Sequence, residues 1–311
     1  MAADRISILY NPSAGMGRAL DRKIKLERLL KHFEIRYDLV MTRSEEHLRS
    51  LTREQAAAGA TIVGAGGDST FHIMIDELVR AGTATTFGMI GVGSSNDIPR
   101  EFGLRSLWES CRVLRDRRTR RVDLGRILEN GAPIGHFLGQ ANVGLGAYVN
   151  TYVAGLAQRK PGLARRQSLA GLLGVRKAYR SGALPWKFSV STGSGRREGE
   201  FSVAVFSNIR YWATGKVINP CAVPDDGILD ACYIGRASFA RLARIASLAG
   251  KGRHGRAAEV SFDRAPAFDL ASDSPFEVQA DGEILRMPDG RTSFREVRIE
   301  AAPGALEIIA P

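Results

Sequence analysis

Two apolar runs, Thr61-Ile-Val63 and Phe87-Gly-Met-Ile-Gly-Val92, each end in a glycine-rich turn, and each turn opens a segment with helical spacing. The turns read Gly64-Ala-Gly-Gly-Asp68-Ser-Thr70 and Gly93-Ser-Ser-Asn-Asp97. Two strand–glycine–helix junctions in one sheet constrain the fold strongly, because ligands of open α/β sheets sit at the carboxyl ends of strands. Glycines let the backbone approach an anion, and the free N–H groups of a helix start bind it. Asp68 adds a carboxylate where the magnesium of a bound phosphate would sit, although an ordinary helix cap would also use an aspartate.

The first 120 residues alternate between the two periods. Ile6–Tyr10, Arg36–Thr42, Thr61–Gly64 and Phe87–Val92 read as strands; Gly17–Phe33, Ser44–Ala58, Thr70–Arg80 and Leu107–Arg117 read as helices. Such alternation predicts a Rossmann-like parallel sheet with helices on both faces. After Arg121 the texture becomes β-rich. Arg121–Leu128, Ile134–Val143, Trp186–Ser191, Glu200–Ser207, Ile228–Ile234, Glu259–Phe262, Ala267–Ala271, Phe276–Ala280, Glu296–Ala301 and Leu306–Ile309 are separated by Gly, Asp and Pro turns. The expectation is an α/β domain over 1–121 and a mainly antiparallel β-sandwich domain over 122–311, with two or three inserted helices.

The chain has 311 residues, enough for two domains. Its net charge is +11, and the excess is local. Gln158–Arg180 holds seven Lys/Arg and no acid; Ala231–Ala258 holds six more, again with none. In the first of these, Leu169, Leu172 and Leu173 recur at helical spacing between Arg165, Arg166, Arg176 and Lys177. In the second, Phe239, Leu242 and Ile245 alternate with Arg241 and Arg244. A core-facing helix shows the same spacing, but basic amphipathic segments favour an anionic membrane surface. Nucleic acid is disfavoured, because aromatics are not interleaved with the basic runs. No apolar run approaches the roughly 20 residues of a membrane span. Met1–Arg5 lacks the apolar core of a signal peptide. Cys111, Cys221 and Cys232 show no metal-ligand spacing and read as reduced thiols. A cytoplasmic protein is expected, peripheral at the inner membrane surface. Its oligomeric state stays open, a homodimer included.

Three further motifs carry candidate chemistry. Tyr10-Asn-Pro-Ser-Ala-Gly-Met-Gly17 ends the first strand, with Pro12 stopping it and glycines opening the next helix. Pro224-Asp-Asp-Gly-Ile-Leu-Asp230 places three carboxylates around a glycine, which suits a hard cation and an ordinary acidic hairpin equally. Asp281-Gly-Glu283 places two acids about a turn, where a general base for hydroxyl phosphorylation could face a bound phosphate. A dehydrogenase is poorly supported: residues 64–67 do not form Gly-x-Gly-x-x-Gly, and no acid ends the second strand.

In order and spacing, these five elements resemble the diacylglycerol kinase catalytic domain family, which includes bacterial soluble lipid kinases and the sphingosine and ceramide kinases. Val122-Asp-Leu-Gly-Arg-Ile127 and Asn142-Val-Gly-Leu-Gly-Ala147 resemble family segments as well. The resemblance runs from Asn11 to Pro303-Gly-Ala-Leu306. It implies an NAD-kinase-like two-domain fold with ATP in the cleft. By the same resemblance Asn11, Thr42, Gly66, Gly67, Asp68, Ser69, Thr70, His72, Gly93, Ser94 and Asn96 fall at nucleotide-binding positions. Glu283 matches the proton acceptor that activates the lipid hydroxyl, with Asp68, Asp97 and Asp281 as its catalytic company. Asp226, with the backbone oxygens of Val223 and Ile228, matches a magnesium site. Two positions depart from the family. Ser69 replaces the glycine of Gly-Gly-Asp-Gly-Thr, and Ser95 replaces a small residue of Gly-Thr-Gly-Asn-Asp. These mark a divergent branch and widen the expected acceptor from diacylglycerol to ceramide or another long-chain lipid alcohol. The expected activity is an ATP- and Mg2+-dependent lipid kinase acting on a neutral lipid; the competing readings are an NAD kinase and a non-catalytic lipid or nucleotide sensor.

Overall fold

A computed structural model describes residues 5–164, 166–181 and 186–311. In chain order β1 (Ile6–Tyr10), α1 (Arg18–His32), β2 (Tyr37–Met41), α2 (Glu45–Ala57), β3 (Thr61–Gly66), α3 (Asp68–Ala81), β4 (Phe87–Gly91), α4 (Asp97–Glu101) and α5 (Leu107–Asp116) make the first half. There follow β5 (Thr119–Glu129), β6 (Ala132–Phe137), β7 (Gln140–Gly144), α6 (Leu145–Arg159), α7 (Pro161–Ala164), α8 (Gln167–Arg180), β8 (Trp186–Thr192), β9 (Gly195–Ser207), β10 (Tyr211–Trp212) and β11 (Lys216–Val217). The chain closes with β12 (Leu229–Gly235), α9 (Phe239–Ala249), β13 (Val260–Ala265), β14 (Ala267–Ala280), β15 (Glu283–Ile284) and β16 (Ser293–Ile309).

β1, β3 and β4 are almost wholly buried, which is why they read as unbroken apolar runs rather than alternating ones. They pair in parallel in the order β2-β1-β3-β4. Ser44 and Ser106 cap α2 and α5 by accepting from the amides of His47 and Glu109. Among the described residues no helix is long and apolar enough to cross a membrane.

The β-rich half is antiparallel along β14, β7, β9, β12 and β13. It does not stand apart from the first half. β16 runs antiparallel to β14 and β5, and then Ile308 pairs in parallel with Phe87 of β4. One hydrogen-bonded path therefore joins both halves. Leu306, Ile308 and Ile309 pack into the core of the first half, while Val297 and Ile299 of the same strand pack into that of the second. β5 runs unbroken through Arg121–Val122, where composition changes.

Asp123 ties this junction. Its carboxylate accepts from the Gly304 amide at 2.8 Å and the Gly227 amide at 2.6 Å. It thereby fixes the irregularity between Ala302 and Leu306 of β16 and the acidic turn before β12. The run Ile134–Val143 is not one strand: it breaks between β6 and β7 at Leu138-Gly139, whose amides turn to Asp281. Conversely, Ala267–Ala271 and Phe276–Ala280 belong to one strand, β14, with a register shift between them.

Candidate functional site

Three glycine turns meet at the ends of β1, β3 and β4. Gly15 lies in left-handed backbone, and a Cβ added there would come 3.1 Å from the Val92 carbonyl oxygen. A Cβ on Gly93 would come 2.5 Å from the Gly67 Cα, and one on Gly66 would collide with the Thr70 side chain. Only glycine permits this approach. The Val92 and Gly93 amides both donate to the Gly66 carbonyl, locking the second turn to the third. Asn11 joins the first turn to the second by donating from Nδ2 to Thr70 Oγ1 at 2.9 Å. Thr42, buried at the end of β2, is held to the Tyr10 carbonyl through its amide and its hydroxyl. Ser94 is exposed at the rim, and Asn96 sits in left-handed backbone with its Nδ2 donating to the Gly93 carbonyl.

The aspartates of these turns do not cap their own helices. Asp68 opens α3 behind Gly67, yet its carboxylate accepts from the Asp97 and Ile98 amides at 3.1 and 3.0 Å, across at the start of α4. Asp97 is buried and accepts from the Thr214 and Gly215 amides at 3.0 and 2.6 Å. Burial and then the neighbouring Asp97 push the Asp68 carboxyl up to about 7, against the backbone amides that favour its charge. Burial raises the Asp97 carboxyl too.

The Asp281-Gly-Glu283 turn closes over this cradle. The nearest atom to a Cβ built on Gly282 is Ser69 Oγ, at 3.6 Å. Asp281 is buried in left-handed backbone, and its carboxylate accepts from the amides of Leu138, Gly139 and Gln140 at 2.9, 2.8 and 2.9 Å. His72 Nδ1 lies 3.7 Å from Asp281 Oδ2. Burial works against a charged His72 ring, but Asp281, with Asp76 and Glu283, outweighs it and raises its pKa. Glu283 pairs with Ala280 through β15, and its exposed side chain makes no hydrogen bond or ion pair among the described residues. The turn is braced from outside by Asn150 of α6, whose Nδ2 donates to the Gly282 carbonyl at 2.8 Å.

The structure thus gathers Asn11, Gly66, Gly67, Asp68, Ser69, Thr70, His72, Gly93, Asn96, Asp97, Asp281 and Glu283, with Thr42 and Ser94 at the edge. The turn holding Val223, Asp226 and Ile228 lies apart, between β11 and β12. There Asp226 Oδ2 accepts from Arg264 at 2.7 Å and Oδ1 from the Ile228 amide at 3.1 Å. Arg264 also reaches Asp230, and Arg120 pairs with Asp225 at 2.6 Å. A cation held by Asp226 with the Val223 and Ile228 carbonyls would compete with Arg264 for the Asp226 carboxylate. Among the described residues no group of three or more His, Cys, Asp or Glu side chains gathers as a metal cage. Asn150 and the 213–215 loop carry no motif in the sequence, while Asp123 lies in the Val122–Ile127 segment quoted above without a role of its own. The 213–215 loop is itself a glycine turn, and the positive φ of Ala213, Thr214 and Gly215 marks it as specialised.

Residues 5–127 match the model of the diacylglycerol kinase catalytic domain, and residues 141–310 match the YegS C-terminal NAD kinase beta sandwich-like domain. The chain is 28% identical over 311 residues to a diacylglycerol kinase of Mycobacterium tuberculosis, covering 99% of this chain and 95% of that one. It is 29% identical over 266 residues to a Pseudomonas aeruginosa protein named "Probable lipid kinase YegS-like", covering 85% and 81%. The crystal structure of a diacylglycerol kinase from Bacillus anthracis superposes with a TM-score of 0.70 at 17% identity, covering 99% of this chain and 97% of that one, which shows a shared fold.

Proposed function

The chain belongs to the diacylglycerol kinase catalytic domain family and is a lipid kinase; from that premise we propose that it moves the γ-phosphoryl group of ATP to a hydroxyl of a neutral membrane lipid, diacylglycerol or a ceramide-type alcohol. The carrying observation is the nearness of the acidic turn to the phosphate cradle: a Cβ built on Gly282 would lie 3.6 Å from Ser69 Oγ, His72 Nδ1 lies 3.7 Å from Asp281 Oδ2, and Glu283 is exposed on that turn.

In this reading the three glycine turns bind the polyphosphate through backbone N–H groups and the start of α3. Asp68 and Asp97 fit a phosphate-bound Mg2+: they crowd each other, and a divalent charge relieves that repulsion. When bound, the ion neutralises charge on the phosphoryl oxygens. Glu283 takes the proton of the lipid hydroxyl. The lipid oxygen bonds to the γ-phosphorus as the bond to the β–γ bridging oxygen breaks, and ADP leaves. Asp281 touches none of these atoms; its three amide bonds and His72 hold the turn that aims Glu283. A second cation at Val223, Asp226 and Ile228 is proposed only in competition with Arg264, and no step passes through it. The domain division at 121/122 is likewise proposed as a functional one, ATP bound by the first part and lipid by the second.

The lipid would be met on an anionic membrane at the cytoplasmic side. α8 supports this: Leu169 and Leu172 are 37% and 47% exposed on the face that carries Arg176 and Arg180. A cavity of about 410 Å³ opens there, lined by Leu173, Arg176, Lys177, Arg180 and Ser181. No Asp or Glu occurs from Asn130 to Arg197 to offset these charges. Arg165, part of the same basic run, lies outside the described residues.

The test is transfer of labelled phosphate from ATP to diacylglycerol, ceramide, sphingosine and monoacylglycerol in mixed micelles, with Glu283→Ala as control and NAD as a competing acceptor. One labelled lipid, lost in the variant, supports the proposal. Labelled NADP would replace it with the NAD kinase reading, and bound Mg-ATP without any product would replace it with a sensor.

A further inference from the structure

Four carboxylates line the cleft: Asp68, Asp97, Asp281 and Glu283. A polyphosphate entering among them is repelled, so the side on which it rests is set by positive charge as well as by amides. The basic side chains near these acids differ in how far they are engaged, and Arg100 keeps a buried Nε with no hydrogen-bond partner among the described residues. His72 lies against Asp281; Lys216 donates to the Ala213 carbonyl at 2.7 Å, and Arg100 lies over the Tyr211 ring, both beside Asp97. Arg22, in the second turn of α1, reaches the third glycine turn.

Arg22 Nη1 donates to the Gly93 carbonyl oxygen at 3.3 Å. Gly93 is the residue against which Gly15 and Gly67 both pack, so this guanidinium sits where the three glycine turns meet. Its partner is neutral. Arg22 makes no ion pair among the described residues, whereas Lys23, next along α1, is paired with Glu27 at 2.8 Å. A guanidinium carries five N–H donors in a fixed fork that matches phosphate oxygens, and a single carbonyl uses one of them.

We propose that Arg22 is a polyphosphate-binding residue of this site, gripping the nucleotide phosphates on the Gly93 side and keeping them off the four carboxylates. The inference rests on the nucleotide reading above. It also assigns the two walls: phosphate chain along α1 and the third glycine turn, lipid hydroxyl along the Asp281–Glu283 turn.

Calorimetric titration of Mg-ADP and Mg-ATP into the full chain, Arg22→Gln and Arg22→Lys tests this. Loss of a charge-assisted contact is expected to weaken nucleotide binding about tenfold in Arg22→Gln, with partial recovery in Arg22→Lys. KM for ATP rises by a similar factor, KM for the lipid is unchanged, and the melting temperature without nucleotide stays within about 2 °C. Wild-type affinity in Arg22→Gln overturns the proposal while leaving the nucleotide reading intact. A lowered melting temperature with no rescue by lysine also overturns it, because Arg22 would then act by holding the loop. Failure of the unsubstituted chain to bind either nucleotide removes the underlying reading itself.

Discussion

Two clusters of three aspartates, one within a single turn and one gathered from three turns, behave differently as structure. Pro224–Asp230 holds three aspartates, and Arg120 and Arg264 neutralise them. The cleft holds Asp68, Asp97 and Asp281, and backbone amides rather than arginines receive them. An amide stabilises a carboxylate without cancelling its charge; a guanidinium does both. The cleft therefore keeps the negative field and the elevated Asp68 pKa that a functional site needs, whereas the acidic turn resembles a strapped loop.

The sharpest way to break this contrast is Glu283→Ala. Because the side chain is exposed and unpaired among the described residues, the variant should fold as well as the wild type. Transfer of phosphate to lipid should fall about 10²- to 10⁴-fold if Glu283 is the proton acceptor. Unchanged turnover in the micelle assay would move the base elsewhere.

Asp281→Ala strands three buried amides and is expected to cost about 3–5 kcal/mol in urea unfolding, with activity lost because the turn no longer holds Glu283. A loss below about 1 kcal/mol would mean that the Leu138–Gln140 segment finds other acceptors.

Asp68 predicts a pH dependence. In the unfolded chain its carboxyl ionises near pH 4, while in the folded chain it keeps its proton up to about 7. The folded state binds more protons across that window, so this group's contribution to stability falls as pH rises from about 4 to 7. Melting temperatures of the nucleotide-free protein should decline over this range, and less steeply in Asp68→Asn. Parallel slopes in the two proteins would show that Asp68 titrates normally.

The smallest effect belongs to Arg264→Gln. Its ion pairs are half-exposed, so stability should change by about 1 kcal/mol or less. With the guanidinium gone, the acidic turn should gain a melting shift with added Mg2+ that the wild type lacks. Equal shifts in both would show that a cation displaces Arg264 unaided.

Much of the α/β half was legible because its signals are local. Pro12 and the glycines stop strands, Ser44 and Ser106 start helices, and strands buried on both faces read as apolar runs. The β half was less legible. A strand broken at Gly139 to serve Asp281 and a strand continuous from Ser293 to Ile309 depend on partners far along the chain. The cleft residues in glycine turns could be found from spacing, since close backbone approach admits little else. Arg22 could not, since an arginine in a basic helix carries no local mark of what it reaches; Asp123 was marked by its segment but not by its partners Gly227 and Gly304.

The sequence alone settled which residues bring glycine turns and carboxylates to strand ends, because turn chemistry acts over a few residues. Tertiary structure decided which carboxylate meets an amide and which an arginine, and it carried the last strand back beside β4. Those outcomes depend on distances between residues such as Asp68 and Asp97, or Asp123 and Gly304, that no local preference encodes.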